Sequence, residues 1–209
     1  MLTALPFLFE QLFPLIFVAL VPLLLATAPA TAGVEFTRGW IMGAVTILTG
    51  FWWVPATIAR FEGFGLPLAL PFFALFVAYY ALQFALFTAV TAALRRRGSS
   101  WVPSPLVIAS VWTLLEWGFP KVIPWYLGDS LASAVLLRQA ADSVGVHGLS
   151  FLILICWLNA LLAKAIAQRH LRPLLTAAVV LLTWLAYGAV SIRSSASGDG
   201  FAITIIQGA

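Results

Sequence analysis

The sequence has 209 residues, of which 63% are hydrophobic and 9% charged, against about 45–50% apolar and about 25% charged in a soluble globular domain. No soluble core absorbs that excess, whereas a bilayer does, because each helical span takes about 20 mostly apolar residues. The formal charge of +4 does not mark a nucleic-acid surface, since the basic residues are scattered or sit in short clusters between apolar runs, the pattern of membrane loops.

The composition implies an all-α integral membrane helix bundle of about six spans. Apolar runs fall near 12–28, 38–59, 66–94, 102–118, 147–167 and 174–192. The start lacks Lys and Arg and contains Glu10, so the first run is expected to be a retained span and not a cleaved signal peptide, despite the small residues from Thr27 to Ala32. The second run opens with Gly39 and Gly43, a GxxxG spacing that lets a neighbouring helix approach closely, and ends at Trp52, Trp53 and Pro55, where interfacial aromatics are expected. The third run, 66–94, is about 43 Å long as a helix and exceeds the hydrocarbon slab, which implies tilt or a protruding end near Pro67 and Pro71. Tyr79, Gln83 and Asn159 are the notable polar groups deep in spans, and interhelical hydrogen bonds account for them.

Arg95, Arg96 and Arg97 follow the third run, and Arg169, His170 and Arg172 follow the fifth. Both clusters are expected to face the cytoplasm. The segment 119–146 between the intervening spans then lies outside, as does the chain from Ser194. Residues 1–193 form the membrane domain, and 194–209 a polar linker followed by a β-branched run, Phe201 to Ile206, with the character of a first strand of a further domain.

The least ordinary segment runs from Glu116 through Trp117, Phe119, Pro120, Lys121, Pro124, Trp125, Tyr126 and Gly128 to Asp129. Interfacial aromatics and connection-shaping prolines explain it blandly. The functional reading is a Pro-shaped loop whose aromatics form an apolar, lipid-accepting wall at the outer boundary, with Glu116 near that boundary. From Leu131 to Val144, Leu137, Ala140, Ala141 and Val144 have helical spacing, as in a short helix on the membrane surface; Arg138 either pairs with Asp142 four residues on or holds a lipid phosphate. No cluster of deep charges marks an ion path. No grouping has metal-ligand spacing, no cofactor is implied, His147 and His170 look like loop residues, and Cys156 sits inside a span.

These features resemble, in order, the membrane domain of bacterial apolipoprotein N-acyltransferases. Leu12-Phe13-Pro14-Leu15 through Leu25 looks like the family's second span, Gly39-Trp40 through Trp52-Trp53-Val54 like its third, and Phe61-Glu62-Gly63-Phe64-Gly65 like the connector after it. Ser110 to Trp117 resembles the span carrying Trp and Glu, Ile123-Pro124-Trp125-Tyr126-Leu127-Gly128 the Phe-Pro-Trp loop, and Gly145 to Phe151 the entry to the next span. Lys121 to Ile123 separates Phe119-Pro120 from Pro124-Trp125, a departure from the pattern, and the family's first span has no counterpart. Ile203 to Gly208 resembles the first strand of the family's nitrilase-like domain.

The resemblance implies acyl transfer from phospholipid to the N-terminal cysteine amine of lipoproteins at the bacterial inner membrane. The family's catalytic Glu, Lys and Cys lie in the nitrilase-like domain, so none maps onto these residues, and the chain would supply anchoring and lipid access. Trp125 with its neighbours would border the lipid entry and Glu116 would brace the loop. The rival readings are a non-catalytic membrane scaffold and a small transporter.

Overall fold

A computed structural model describes residues 2–26, 31–61, 63, 65–97, 105–155 and 172–195. Among them the chain is helical, with no strand; the expected C-terminal strand, Cys156, Asn159, Arg169 and His170 lie outside the described residues.

Helix α1 (Leu5–Leu8) leads into a 3-10 helix over Glu10–Phe17 and then α2 (Val21–Ala26). The first apolar run is therefore not the single helix expected of it. Pro14 lies inside the 3-10 segment and Pro22 in the first turn of α2; each lacks an N–H and clashes with the carbonyl four residues back, so one regular ladder cannot cross them. The run is still core, with Ile16, Ala19, Leu20 and Leu24 buried.

Helix α3 (Ala32–Gly50) begins two turns earlier than the apolar run, capped by the Thr31 hydroxyl, which accepts from the Val34 N–H at 3.4 Å. It stops short of Pro55, and α4 (Val54–Phe61) leaves at 56° after a break at Phe51–Trp53. Helix α5 (Leu66–Arg97) is 32 residues long, about 48 Å at 1.5 Å per residue. It packs antiparallel to α3, and this pair is the backbone of the fold. Antiparallel order shows in the contacts: Gly39 faces Thr88 and Ala85, Gly43 faces Ala81, and the Phe51 ring meets Phe76 at 5.4 Å. At the arginine-bearing end of α5, the Thr88 hydroxyl donates to the Glu35 carbonyl at 2.7 Å, and the fully buried Glu35 carboxylate receives Arg38 at 2.8 Å.

Helix α6 (Pro105–Gly118) packs on α8 (Ala141–Ile155), and α9 (Arg172–Ser195) packs on the short α7 (Val135–Arg138). Trp184 of α9 donates its indole N–H to the Leu137 carbonyl at 2.8 Å, and Gly188 lies so close to the Leu136 carbonyl that a Cβ there has no room.

Among the described residues, α5 and α9 are long and apolar enough to cross a bilayer, and α3 with α4 makes a third if the bent pair is one span. The expected runs at 12–28, 102–118 and 147–167 appear as shorter apolar helices, Glu10–Leu25, Leu106–Gly118 and Ala141–Ile153. Outward faces are apolar: Leu75, Leu114, Leu175, Val179 and Leu182 are all well exposed, as suits a surface whose solvent is lipid.

Candidate functional site

The loop after α6 is held by side chains from three helices. Glu116, in the last turn of α6, is 1% exposed, and its Oε1 accepts the Leu127 N–H at 2.9 Å and the Trp112 indole N–H at 3.4 Å. The four-residue spacing of Trp112 and Glu116 puts both on one face of α6. From α5, the Tyr80 hydroxyl accepts the Ile123 N–H at 2.7 Å and donates to the Ile123 carbonyl at 2.8 Å, while the Tyr79 hydroxyl donates to the Pro120 carbonyl at 2.8 Å. From α8, the Ser150 hydroxyl accepts the Gly128 N–H at 2.9 Å. Gly128 is buried, and a Cβ on it would stand 2.5 Å from the Val146 carbonyl oxygen, so only glycine lets the loop lie against α8.

These anchors turn Trp125 inward. It is 6% exposed, with ring centroids 5.3 Å from Phe7, 6.4 Å from Phe51 and 6.2 Å from Phe84, and it borders a cavity of about 170 Å³ lined also by Ala4, Thr46 and Gly50. Phe119 joins the same aromatic layer through Tyr79, at 4.8 Å. A second, almost wholly apolar cavity of about 380 Å³ lies between α8 and α9, against Val144, Leu152, Val179 and Trp184.

Lys121 lies 3.9 Å above the Tyr126 ring and donates to the Trp125 carbonyl at 2.7 Å. Burial pulls its pKa down to about 8, with the nearby Glu116 and Asp129 carboxylates pulling the other way. A lysine depressed in the folded state costs stability while charged, so stability rises with pH from about 8 toward the ordinary lysine value of about 10.4. The thermal midpoint of Lys121→Met in detergent is expected to exceed wild type at pH 7, with the gap closing by pH 10; equal midpoints at both values would refute the burial cost. Asp142, fully exposed, is held below the usual carboxylate range by the Tyr187 hydroxyl at 2.8 Å, then by that of Ser143.

Of the residues singled out in the sequence, Glu116, Trp125, Tyr126 and Gly128 converge on this loop, with Phe119 beside them. Trp117 is 74% exposed on the outer side of α6, and Pro124 faces outward. Arg138 stands apart: its guanidinium donates to the Ala132 carbonyl at 2.7 Å. The expected Arg138–Asp142 pair does not form, because Asp142 is taken by Tyr187, Ser143 and Ser191. Nor is Leu131 to Val144 one surface helix. It breaks into a 3-10 turn (Leu127–Leu131), α7 and the start of α8, since Ala134 has ψ 78° and the Leu137 carbonyl receives Trp184. His147 belongs to α8 and not to a loop.

Three participants were not marked as site residues by the sequence: Tyr80, Ser150 and His147. Tyr79 was read as an interhelical bond and instead holds the loop. The Gln83 amide nitrogen is buried without a hydrogen-bond partner among the described residues, so interhelical bonding does not account for that group.

The family model described as the N-terminal domain of apolipoprotein N-acyltransferase matches residues 1–161. The chain is similar to an apolipoprotein N-acyltransferase of Geobacter metallireducens, 29% identical over 99% of this chain and 41% of that protein. It is 32% identical to the one from Bdellovibrio bacteriovorus over 70% of this chain and 28% of the relative. Apolipoprotein N-acyltransferase 1 of Leptospira interrogans matches at 29% over 54% and 20% respectively. The chain thus spans less than half the length of these relatives, and with its N-terminal domain model matched over residues 1–161 it belongs to the apolipoprotein N-acyltransferase family.

Proposed function

We propose that this chain is the membrane part of an acyltransferase that moves an acyl chain from phospholipid to the N-terminal cysteine amine of lipoproteins. Residues 1–193 anchor it in the bacterial inner membrane as about six spans. Segment 119–146 and the C-terminus face the periplasm, where residues 194–209 begin a nitrilase-like domain. The role of this part is to admit lipid: Trp125 and its aromatic neighbours line the entry, and Glu116 fixes the loop that carries them.

The observation that supports this reading most is the loop itself. Its backbone is tied to α5, α6 and α8 by buried side chains, an investment in one loop conformation that a passive connection between spans does not need. Family membership supplies the chemistry, and the absence of clustered deep charges among the described residues speaks against a transporter.

Lipid nanodiscs carrying a photoactivatable phospholipid test the lipid role. Cross-links are expected at 119–131; labelling confined to the outer faces of α3, α5 and α9 would overturn it. The 209-residue chain alone, mixed with phospholipid and a diacylated lipopeptide, is expected to give no N-acylated product, and turnover by it would sink the division of labour proposed here.

A further inference from the structure

The Glu116 carboxylate uses one oxygen for the loop, and its other oxygen is the most telling group in the site. Oε2 is buried and has no hydrogen-bond partner among the described residues, and the same holds for Nδ1 of His147. The two orphaned atoms lie 3.6 Å apart, within ion-pair reach though longer than a hydrogen bond. Buried polar atoms are almost always satisfied, so two left over within 3.6 Å of each other are each other's nearest available partner.

The backbone is built to put His147 there. Gly145 has φ 66° inside α8, a left-handed conformation that glycine adopts freely, and this kink turns His147 toward α6. Its ring meets that of Tyr126 in a T-shaped contact with centroids 4.7 Å apart. Its charged neighbours are Glu116 from α6 and Asp129 from the 3-10 turn.

We infer that Glu116 and His147 form a carboxylate–imidazole couple, in which Nδ1 carries the hydrogen directed at Oε2 and Nε2 is left as a hydrogen-bond acceptor on the exposed edge of the ring. Facing a carboxylate, Nδ1 must be the protonated nitrogen, or two acceptors would meet in a buried site; in neutral imidazole the other nitrogen is then a lone-pair acceptor. Nδ1 is buried while the side chain as a whole is 33% exposed, so the accessible edge is the one that bears Nε2. His147 is thereby a positioning residue for the loop, since it fixes the carboxylate that holds Leu127. It also offers a site for a hydrogen-bond donor, a hydroxyl or primary ammonium, and not for an anion. This inference stands on the geometry alone and does not require the acyl-transfer reading.

The chain contains two histidines, so 15N-histidine labelling of His170→Gln protein in nanodiscs reports His147 alone. The expected spectrum has Nδ1 protonated, and Glu116→Gln is expected to move the population toward the Nε2–H tautomer that free imidazole side chains favour in water. An Nε2–H tautomer in the Glu116 protein, or a spectrum unmoved by Glu116→Gln, would overturn the couple. Hydrogen exchange across 125–131 gives a second readout. His147→Phe is expected to speed it about tenfold, the size of one hydrogen bond to a charged group, while His147→Asn, whose amide N–H can take the place of Nδ1–H, restores protection. Equal exchange in all three proteins would refute the positioning role.

Discussion

Replacing Gly43 by leucine is expected to prevent α3 and α5 from packing, with most of the protein lost from the monodisperse fraction in mild detergent. A Cβ at Gly43 would stand 2.8 Å from the Ala81 Cα and 3.0 Å from its carbonyl oxygen. Both are backbone atoms of α5, so no rotamer change relieves the clash and the helices must separate. At Gly39 a Cβ would run into the Thr88 hydroxyl and stand 2.5 Å from the Phe84 carbonyl oxygen. Separation also strips the buried Thr88–Glu35 bond. Overpacking in a tight core costs about 1–3 kcal/mol per extra group or more, and within lipid no hydrophobic driving force stands ready to re-form the pair, because association rests on close packing itself.

Gly43→Ala is expected to lower the thermal midpoint without abolishing folding. Gly33→Ala, in the first turn of the same helix and with nothing within 4 Å of the added Cβ, is the control and is expected to leave the midpoint within error or slightly raised. If Gly43→Ala and Gly33→Ala melt together, the close α3–α5 approach is not what holds the bundle.

The GxxxG spacing was legible in the sequence, but its partner was not. Such a pattern says that some helix approaches closely, and only the fold shows that Ala81, Ala85 and Thr88 complete the seam. Composition was enough to expect a helical membrane bundle, because 63% apolar content leaves few other solutions, and every element among the described residues is a helix. Counting spans from apolar runs was less secure. The run at 12–28 has the composition of a span yet carries Pro14 and Pro22, and α6 has 14 residues, about 21 Å of helix. Hydropathy windows measure what a segment tolerates around it, not whether its backbone ladder is continuous.

At the site, the aromatic and proline-rich loop stood out because its residue types are unusual together, and Glu116 as the carboxylate that ends an apolar run near the outer boundary. Arg138 and Asp142 were paired by helical spacing, and that failed because the segment is not one helix. His147 and Ser150 carried no local signal: their significance comes from α8 crossing α6, a long-range fact. Tyr80 was hidden by its neighbour, since a tyrosine pair in a span looks like two interchangeable packing residues until the loop is seen returning to it.

Glu116→Leu is expected to release the loop without unfolding the bundle. Leucine fills most of the space but leaves the Leu127 N–H and the Trp112 indole N–H without their acceptor, and each orphaned buried donor costs about 1–3 kcal/mol. That amount exceeds what one loop anchor supplies, so local opening is the cheaper response. Exchange of the amides at 125–131, measured by mass spectrometry in nanodiscs, is expected to rise by about tenfold or more. Glu116→Gln keeps a carbonyl acceptor and is expected to fall between the two. The amides of α3 and α5 are expected to stay as protected as in wild type, because the Tyr80 bonds to Ile123 and the Ser150 bond to Gly128 still tether the loop at both ends. Wild-type exchange in the leucine variant would show that the loop is held by aromatic packing around Trp125 alone. Deprotection spreading into α3 and α5 would show instead that Glu116 supports the whole bundle and not one loop.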